Sequence, residues 1–250
     1  MSTPLSTSAV PPHPAVAPFV RPSIALDRLD EVEGWFFPAD RFVFDWLLSR
    51  GRGDLLELGV YKGQSAIFIG AYAAEGERFT VCDLFDSPAP DESTTTEMRV
   101  YYPTLTRQGF EANYLRFHPE LPETVQGPSS VITSHVEAGS CRFAHIDASH
   151  LYAHVSGDIT AARELLAPDG VVSLDDFRSP HTPGVAAATW EAVLNGGLRP
   201  MILTESKFYG TWGDPAPLRD ALAAQLAGDP TFWGVTEDVK GHTLLRVHTR

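Results

Sequence analysis

Asp54-Leu-Leu-Glu-Leu-Gly-Val-Tyr-Lys-Gly-Gln-Ser-Ala-Ile-Phe-Ile-Gly70 is the stretch on which the reading of this chain rests. An apolar strand ends at Glu57, turns through Gly59 and Gly63, and passes into an apolar helix. Glycines at such a junction let backbone approach a ligand closely and aim a helix N-terminus at it. Further on, Arg78-Phe-Thr-Val-Cys-Asp83 is a second strand ending in a carboxylate. At that place in an α/β sheet an acid commonly accepts hydrogen bonds from ribose hydroxyls. The turn alone also suits an ordinary strand–turn–helix junction; joined to Asp83 it reads as a site for a nucleoside-containing cofactor.

The turn is Glu-x-Gly-x-x-x-Gly, without the glycine spacing that seats a pyrophosphate, which argues against a nicotinamide dehydrogenase. An acid opening the turn suits a cationic, phosphate-free ligand. S-adenosylmethionine, with an ammonium, a sulfonium and a ribose, is such a ligand.

Outward from this unit, strand candidates recur at residues 55–58, 79–82, 130–133, 142–147 and 171–175, with helical patterns at 39–49, 64–74, 154–166 and 189–194. Strands alternating with helices predict a parallel sheet covered on both faces. Residues 200–204 read as extended, and either 207–213 or 242–248 as a later strand. Residues 1–22, with six prolines among Ser, Thr and Ala, predict a mobile leader, leaving 23–250 as one domain. Residues 86–127 break the rhythm with Met98, Tyr101, Tyr102, Phe110, Tyr114 and Phe117. An insertion after a strand's C-terminal end reads as a lid, or else as a surface helix pair.

Composition bounds the function. The 250 residues suffice for one large α/β domain, and no apolar run is long enough to span a membrane. Cys82 and Cys141 are the only cysteines, so no disulfide framework is expected and a cytoplasmic location is the default. A net charge of −13 argues against nucleic acid as partner. The expected partner is a small-molecule acceptor, and a homodimer is the base-rate expectation for a soluble oligomer.

Two further strands end in acids, at Asp147 and at Asp175-Asp176. Neighbouring parallel strands present their C-terminal ends at one edge, where the cofactor turn also lies. Clustered carboxylates repel unless neutralised, and oxygen-only ligands favour Mg²⁺ or Mn²⁺; single Asp residues here would read as helix caps. His150, just past Asp147, is a candidate general base, or a group that orients a carboxylate. His145 lies deeper on the same strand face and reads as an interior histidine.

With these residues the chain resembles the class I S-adenosylmethionine-dependent methyltransferases. The closer resemblance is to the branch that includes the macrocin and mycinamicin sugar O-methyltransferases, whose members carry Ile-Asp-Gly-Asp-His-x-Tyr and then a strand ending Asp-Asp-Tyr or His-Asp. The matching text is Ile146-Asp-Ala-Ser-His-Leu-Tyr152, Leu174-Asp-Asp-Phe177 and the turn Leu56–Ser65, within about residues 50–180. The resemblance implies an α/β Rossmann-like fold with a mostly parallel seven-stranded sheet and helices on both faces. It implies that Glu57, Gly59, Tyr61, Gly63 and Ser65 line the methionine end of the cofactor and that Asp83 holds its ribose. It also implies Mg²⁺ on Asp147, Asp175 and Asp176, activating a hydroxyl whose proton passes to His150 or Asp147. Ala148 and Ser149 stand where the branch has Gly and Asp, which leaves the base open. The implied acceptor is a small sugar or glycoside, an antibiotic sugar or a methylated mannoside among them. A catechol-type phenol is the near competitor, and a non-catalytic S-adenosylmethionine-binding module the competitor of a different class.

Overall fold

The computed structural model describes residues 20–250. Most of the leader expected at 1–22 lies outside the described residues.

Helix α1 (Pro38–Leu48) opens on a proline whose fixed φ suits a first turn, and it buries Val43, Phe44, Leu47 and Leu48. Strand β1 (Asp54–Leu58) leads through the glycine turn to α2 (Gln64–Gly70). The helix expected to reach residue 74 stops at Gly70, and the chain continues as tighter turns from Tyr72 N–H to Ile69 O and from Ala73 N–H to Gly70 O. Strand β2 (Phe79–Asp83) precedes the insertion, which holds α3 (Glu92–Tyr101) and α4 (Arg107–Tyr114). Asp91 and Thr106 cap these helices by accepting from the amides of Thr94 and Gly109. The insertion then closes on β3 (Glu123–Gln126).

The strand expected at 130–133 is a 3₁₀ turn, Ser129–Ser134, following Pro128. Its place in the sheet is taken by β3, an edge strand too exposed and polar to carry an apolar pattern. Strand β4 (Cys141–Ile146), α5 (Tyr152–Leu165), β5 (Leu166–Leu174) and α6 (Pro183–Asn195) follow as expected. The Ala167–Gly170 turn is looped out of β5, whose register on β4 jumps from Leu166 to Val171. The chain ends with β6 (Arg199–Leu203), β7 (Phe208–Thr211), α7 (Ala216–Leu226), β8 (Phe232–Val239) and β9 (His242–Thr249). Both late strand candidates are therefore strands.

The sheet order is β3-β2-β1-β4-β5-β7-β6-β9-β8. The sheet is mostly parallel, but it has nine strands where seven were expected. The additional pair is the hairpin β8–β9, closed by Lys240 (φ 56°) and Gly241 (φ 80°) and laid parallel on β6 through β9. Two positive φ values in a two-residue connection match the twist of the flanking strands. Side chains alternate across the sheet. Leu55, Val81 and Phe143 pack under α1, α2 and α7, while Leu56, Cys82 and Ala144 pack against α5 and α6.

Candidate active site

A cavity of about 830 Å³ lies along the C-terminal edge of β1, β2, β4 and β5. At one end is the glycine turn. Gly59 has φ 80°, and a Cβ there would stand 2.1 Å from the carbonyl oxygen of Asp147, so no other residue fits without moving β4. Gly63 has φ 94° and faces the Phe110 ring, 2.9 Å from where its Cβ would be. Asp83 braces this turn: it accepts hydrogen bonds from the amides of Val60 (2.8 Å), Tyr61 (3.1 Å) and Phe85 (2.8 Å). Burial nevertheless raises its pKa, against the pull of those amides.

Gly59, Tyr61, Ser65 and Asp83 line the cavity together with Ser129 and Ser130 of the 3₁₀ turn. Glu57 and Gly63 stand behind the lining. Glu57 is fully buried, with Oε1 2.8 Å from Nδ1 of His145 and Oε2 unpartnered. His145 is the interior histidine expected, with Phe44 edge-on to its ring.

The strand registers explain how the acids arrive. Glu57 pairs with His145, His145 with Ser173, and Ser173 with Tyr209, forming one polar row across β1, β4, β5 and β7 on the α1 face. Two residues on along β4 and β5, the same face carries Asp147 and Asp175. Strand β7 runs the other way, so the residue opposite Asp175 is Lys207, one step beyond the Leu174–Phe208 pair.

Lys207 and Asp175 form a direct ion pair, with the lysine only 1% and the aspartate 9% exposed. The other Asp175 oxygen accepts from the amide of Asp176 at 2.7 Å. Asp40 of α1 completes the surround; it accepts from Thr204, from Ser206 at 2.9 Å and from Tyr209 at 2.9 Å. Charge order follows. Burial pushes the carboxyl of Asp175 up, but Lys207 and His145 pull it down to about 2. Asp147, buried beside that anion, is raised well above the usual carboxylate range.

Asp176 takes no part in this group. It has φ 55° and accepts from Ser179 Oγ at 2.5 Å, while its Oδ2 lies 2.9 Å from Nε2 of His150. That last contact has an ion pair's distance but not a hydrogen bond's angle. The other ring nitrogen of His150 is 2.6 Å from Glu97 on α3. Burial lowers the His150 pKa, but the two carboxylates outweigh it and raise it to about 10. His150 thus clasps α3 to the loop after β5. His154 repeats the contact, 3.3 Å from Asp91 just before α3.

The residues present do not fit the expected three-carboxylate Mg²⁺ site. Among the described residues, metal-ligating atoms converge only for His145, Asp147 and Asp175, within 4.8 Å of one another. A hard dication prefers oxygen; here one of the three donors is an imidazole, Asp176 points elsewhere, and Asp175 already holds an ammonium. Lys207, Asp40 and Glu97 were not foreseen from the sequence. The signal for Lys207 was a lone lysine opening an apolar strand; its meaning needed the antiparallel pairing.

Residues 56–177 match a family model described as a methyltransferase domain. No curated protein matches the chain in sequence. Among solved structures, the O-methyltransferase NovP is 16% identical over 75% of this chain and 80% of its own, with a TM-score of 0.54. The SAH-bound methyltransferase PaMTH1 of Podospora anserina is 15% identical over 76% and 90%, with a TM-score of 0.51. Cofactor-bound Rv0187 from MTB is 14% identical over 76% and 88%, with a TM-score of 0.53. At these identities the likeness is one of fold. Among the described residues no helix is long and apolar enough to cross a membrane.

Proposed function

We propose that this chain, whose residues 56–177 match a methyltransferase domain, is a class I, S-adenosylmethionine-dependent methyltransferase that methylates a hydroxyl oxygen of a small sugar or glycoside. The observation that carries the reading is that one cavity holds both halves of such a reaction. Gly59 and Asp83 line it together with Asp147, Asp175 and Asp176. The bound donor supplies an electrophilic methyl group on a sulfonium. Gly59, Tyr61, Ser65 and Asp83 would hold that donor, the glycine by allowing close backbone approach.

The protein's own task is to align the acceptor and remove one proton. As the new O–CH₃ bond forms and the C–S bond breaks, the hydroxyl proton passes to the Asp147 carboxylate. Asp147 lines the cavity, and its backbone lies against Gly59 of the glycine turn. His150 already carries a proton between two carboxylates, which suits it to positioning rather than to proton removal. Trp35, Tyr101 and Tyr102 line the same cavity as Glu97 and Asp176. Trp35 is 58% exposed and stacks on Tyr61 at 5.4 Å. Flat aromatic faces next to hydrogen-bonding carboxylates suit a pyranose ring.

The test is transfer of labelled methyl from S-adenosylmethionine to a panel of sugars, glycosides and catechols. Transfer to a sugar is expected. Transfer to catechols alone would replace the acceptor class, and cofactor binding without transfer to any acceptor would favour a binding module.

A further inference from the structure

The β6–β7 connection places a cation where the acid cluster needs one. Thr204 and Lys207 close a two-residue turn: Thr204 N–H donates to Lys207 O at 3.0 Å, and Lys207 N–H to Thr204 Oγ1 at 3.0 Å. That threonine hydroxyl also donates to Asp40, so the backbone bearing the lysine is tied to one acid of the cluster. From this stalk the side chain runs past Phe36, with Nζ 5.9 Å from the ring centroid, and ends on Asp175. Its ammonium lines the reaction cavity beside Asp147 and Ser206.

We propose that the Lys207 ammonium is the resident cation of this cluster and stands in for a divalent metal, so that methyl transfer by this enzyme needs no metal ion. Lys207 is 1% exposed; its ammonium is paired with Asp175 and lies in the field of the Asp147 and Asp40 carboxylates, which it does not touch. A buried cation persists only when paired in this way. Asp175 has one oxygen on Lys207 and the other on the amide of Asp176. A dication entering between Asp147 and Asp175 would have to displace a covalently tethered charge and lie beside it. Asp176, the third oxygen donor such an ion would draw on, is held away by His150 and Ser179. Lys207 is therefore a positioning residue: it keeps Asp175 ionised and in place, and Asp175 in turn sets the field at Asp147.

The consequence for turnover rests on the proposed function; the consequence for metal binding does not. Mn²⁺ is titrated into the SAH-bound protein and followed by electron paramagnetic resonance, which needs no acceptor. SAH binding is measured alongside by calorimetry. We expect the wild-type spectrum to remain that of free Mn²⁺ at millimolar concentration. Lys207→Met, whose acids lose their cation, should bind one Mn²⁺ at least ~10-fold more tightly. Where an acceptor is in hand, wild-type turnover should stay within about twofold after EDTA treatment. Lys207→Met should lose at least ~100-fold, regaining part of it with Mg²⁺, while Lys207→Arg keeps more activity than Lys207→Met. One equivalent of Mn²⁺ bound by the wild type, or turnover abolished by EDTA, overturns the proposal. If Lys207→Met fails to fold, the two wild-type measurements still decide. If no acceptor is methylated, the proposed function fails while the Mn²⁺ titration stands.

Discussion

Asp175 and Gly59 show at single positions how the site is built. Among the described residues Asp175 is the only carboxylate in contact with the Lys207 ammonium, so its removal leaves that charge buried beside acids it does not touch. Breaking a buried pair by removing one partner typically costs about 3–5 kcal/mol. Asp175→Ala should therefore lower the unfolding free energy by about 3 kcal/mol in a urea titration. On the proposed function it should also abolish methyl transfer while leaving SAH affinity within a few-fold, because Asp175 is held by Lys207 and not by the glycine turn. An unchanged urea midpoint would mean that the pair contributes nothing. Gly59→Ala acts on the cofactor end. Its Cβ would stand 2.1 Å from the carbonyl oxygen of Asp147, just past β4, at φ 80°. A calorimetric SAH titration should show at least ~10-fold weaker binding, in line with backbone strain of about 1–3 kcal/mol. Wild-type affinity in that variant would show that the turn can relax at no cost. Gly59 and Asp175 are legible as sequence; the lysine opposite Asp175 is not, since its place is set by pairing with another strand.

Helix α3 is fastened to the rest of the site by charge more than by apolar packing; Thr94 is its only buried residue. The fastening is pH-dependent. The His150 pKa rises from 6.5 to about 10 in the folded protein. Its stabilising contribution is therefore complete below pH 6.5 and is lost as pH rises through about 10. Amide exchange in Glu92–Tyr101, corrected for intrinsic rates, should become less protected between pH 7 and 10, and His150→Gln should remove that dependence. Flat protection across this range in the wild type would argue against the clasp. At this scale the sequence is legible where elements are periodic and opaque where they are not. The apolar patterns of β1, β4 and α1 exist because both sheet faces are covered. Strand β3 has no such pattern because it is an edge, and the short apolar run at Val131–Ile132 became a 3₁₀ turn after Pro128.

Across the whole molecule, one sheet separates two apolar layers, and the two thiols sample both their depth and their cooperativity. Cys82 and Cys141 are at most 1% exposed, and burial pushes their thiols up to about 12 and about 11. Since the thiolate is the reactive form, labelling with a disulfide reagent at pH 8 should be slow in the native protein. It should then track global unfolding for Cys141. For Cys82, which borders the cavity, bound SAH should slow it further. Rapid native labelling of either thiol would contradict the burial of these strands. The β8–β9 hairpin lies at the opposite edge of the sheet from β3, and the site is built from the strands between.

The sequence by itself determined the α/β fold, the glycine turn after β1, Asp83 at the end of β2, and the arrival of Asp147, Asp175 and Asp176 at one edge. Each of these is local: a glycine spacing, an apolar period, or an acid closing a strand. Tertiary structure alone decided strands β3 and β8, the pairing that sets Lys207 against Asp175, the approach of Asp40 from α1, and the turning of Asp176 toward His150. These depend on register and on helix docking between segments far apart in the chain. Side chains meet there because the sheet aligns them, and no spacing along the sequence records that alignment.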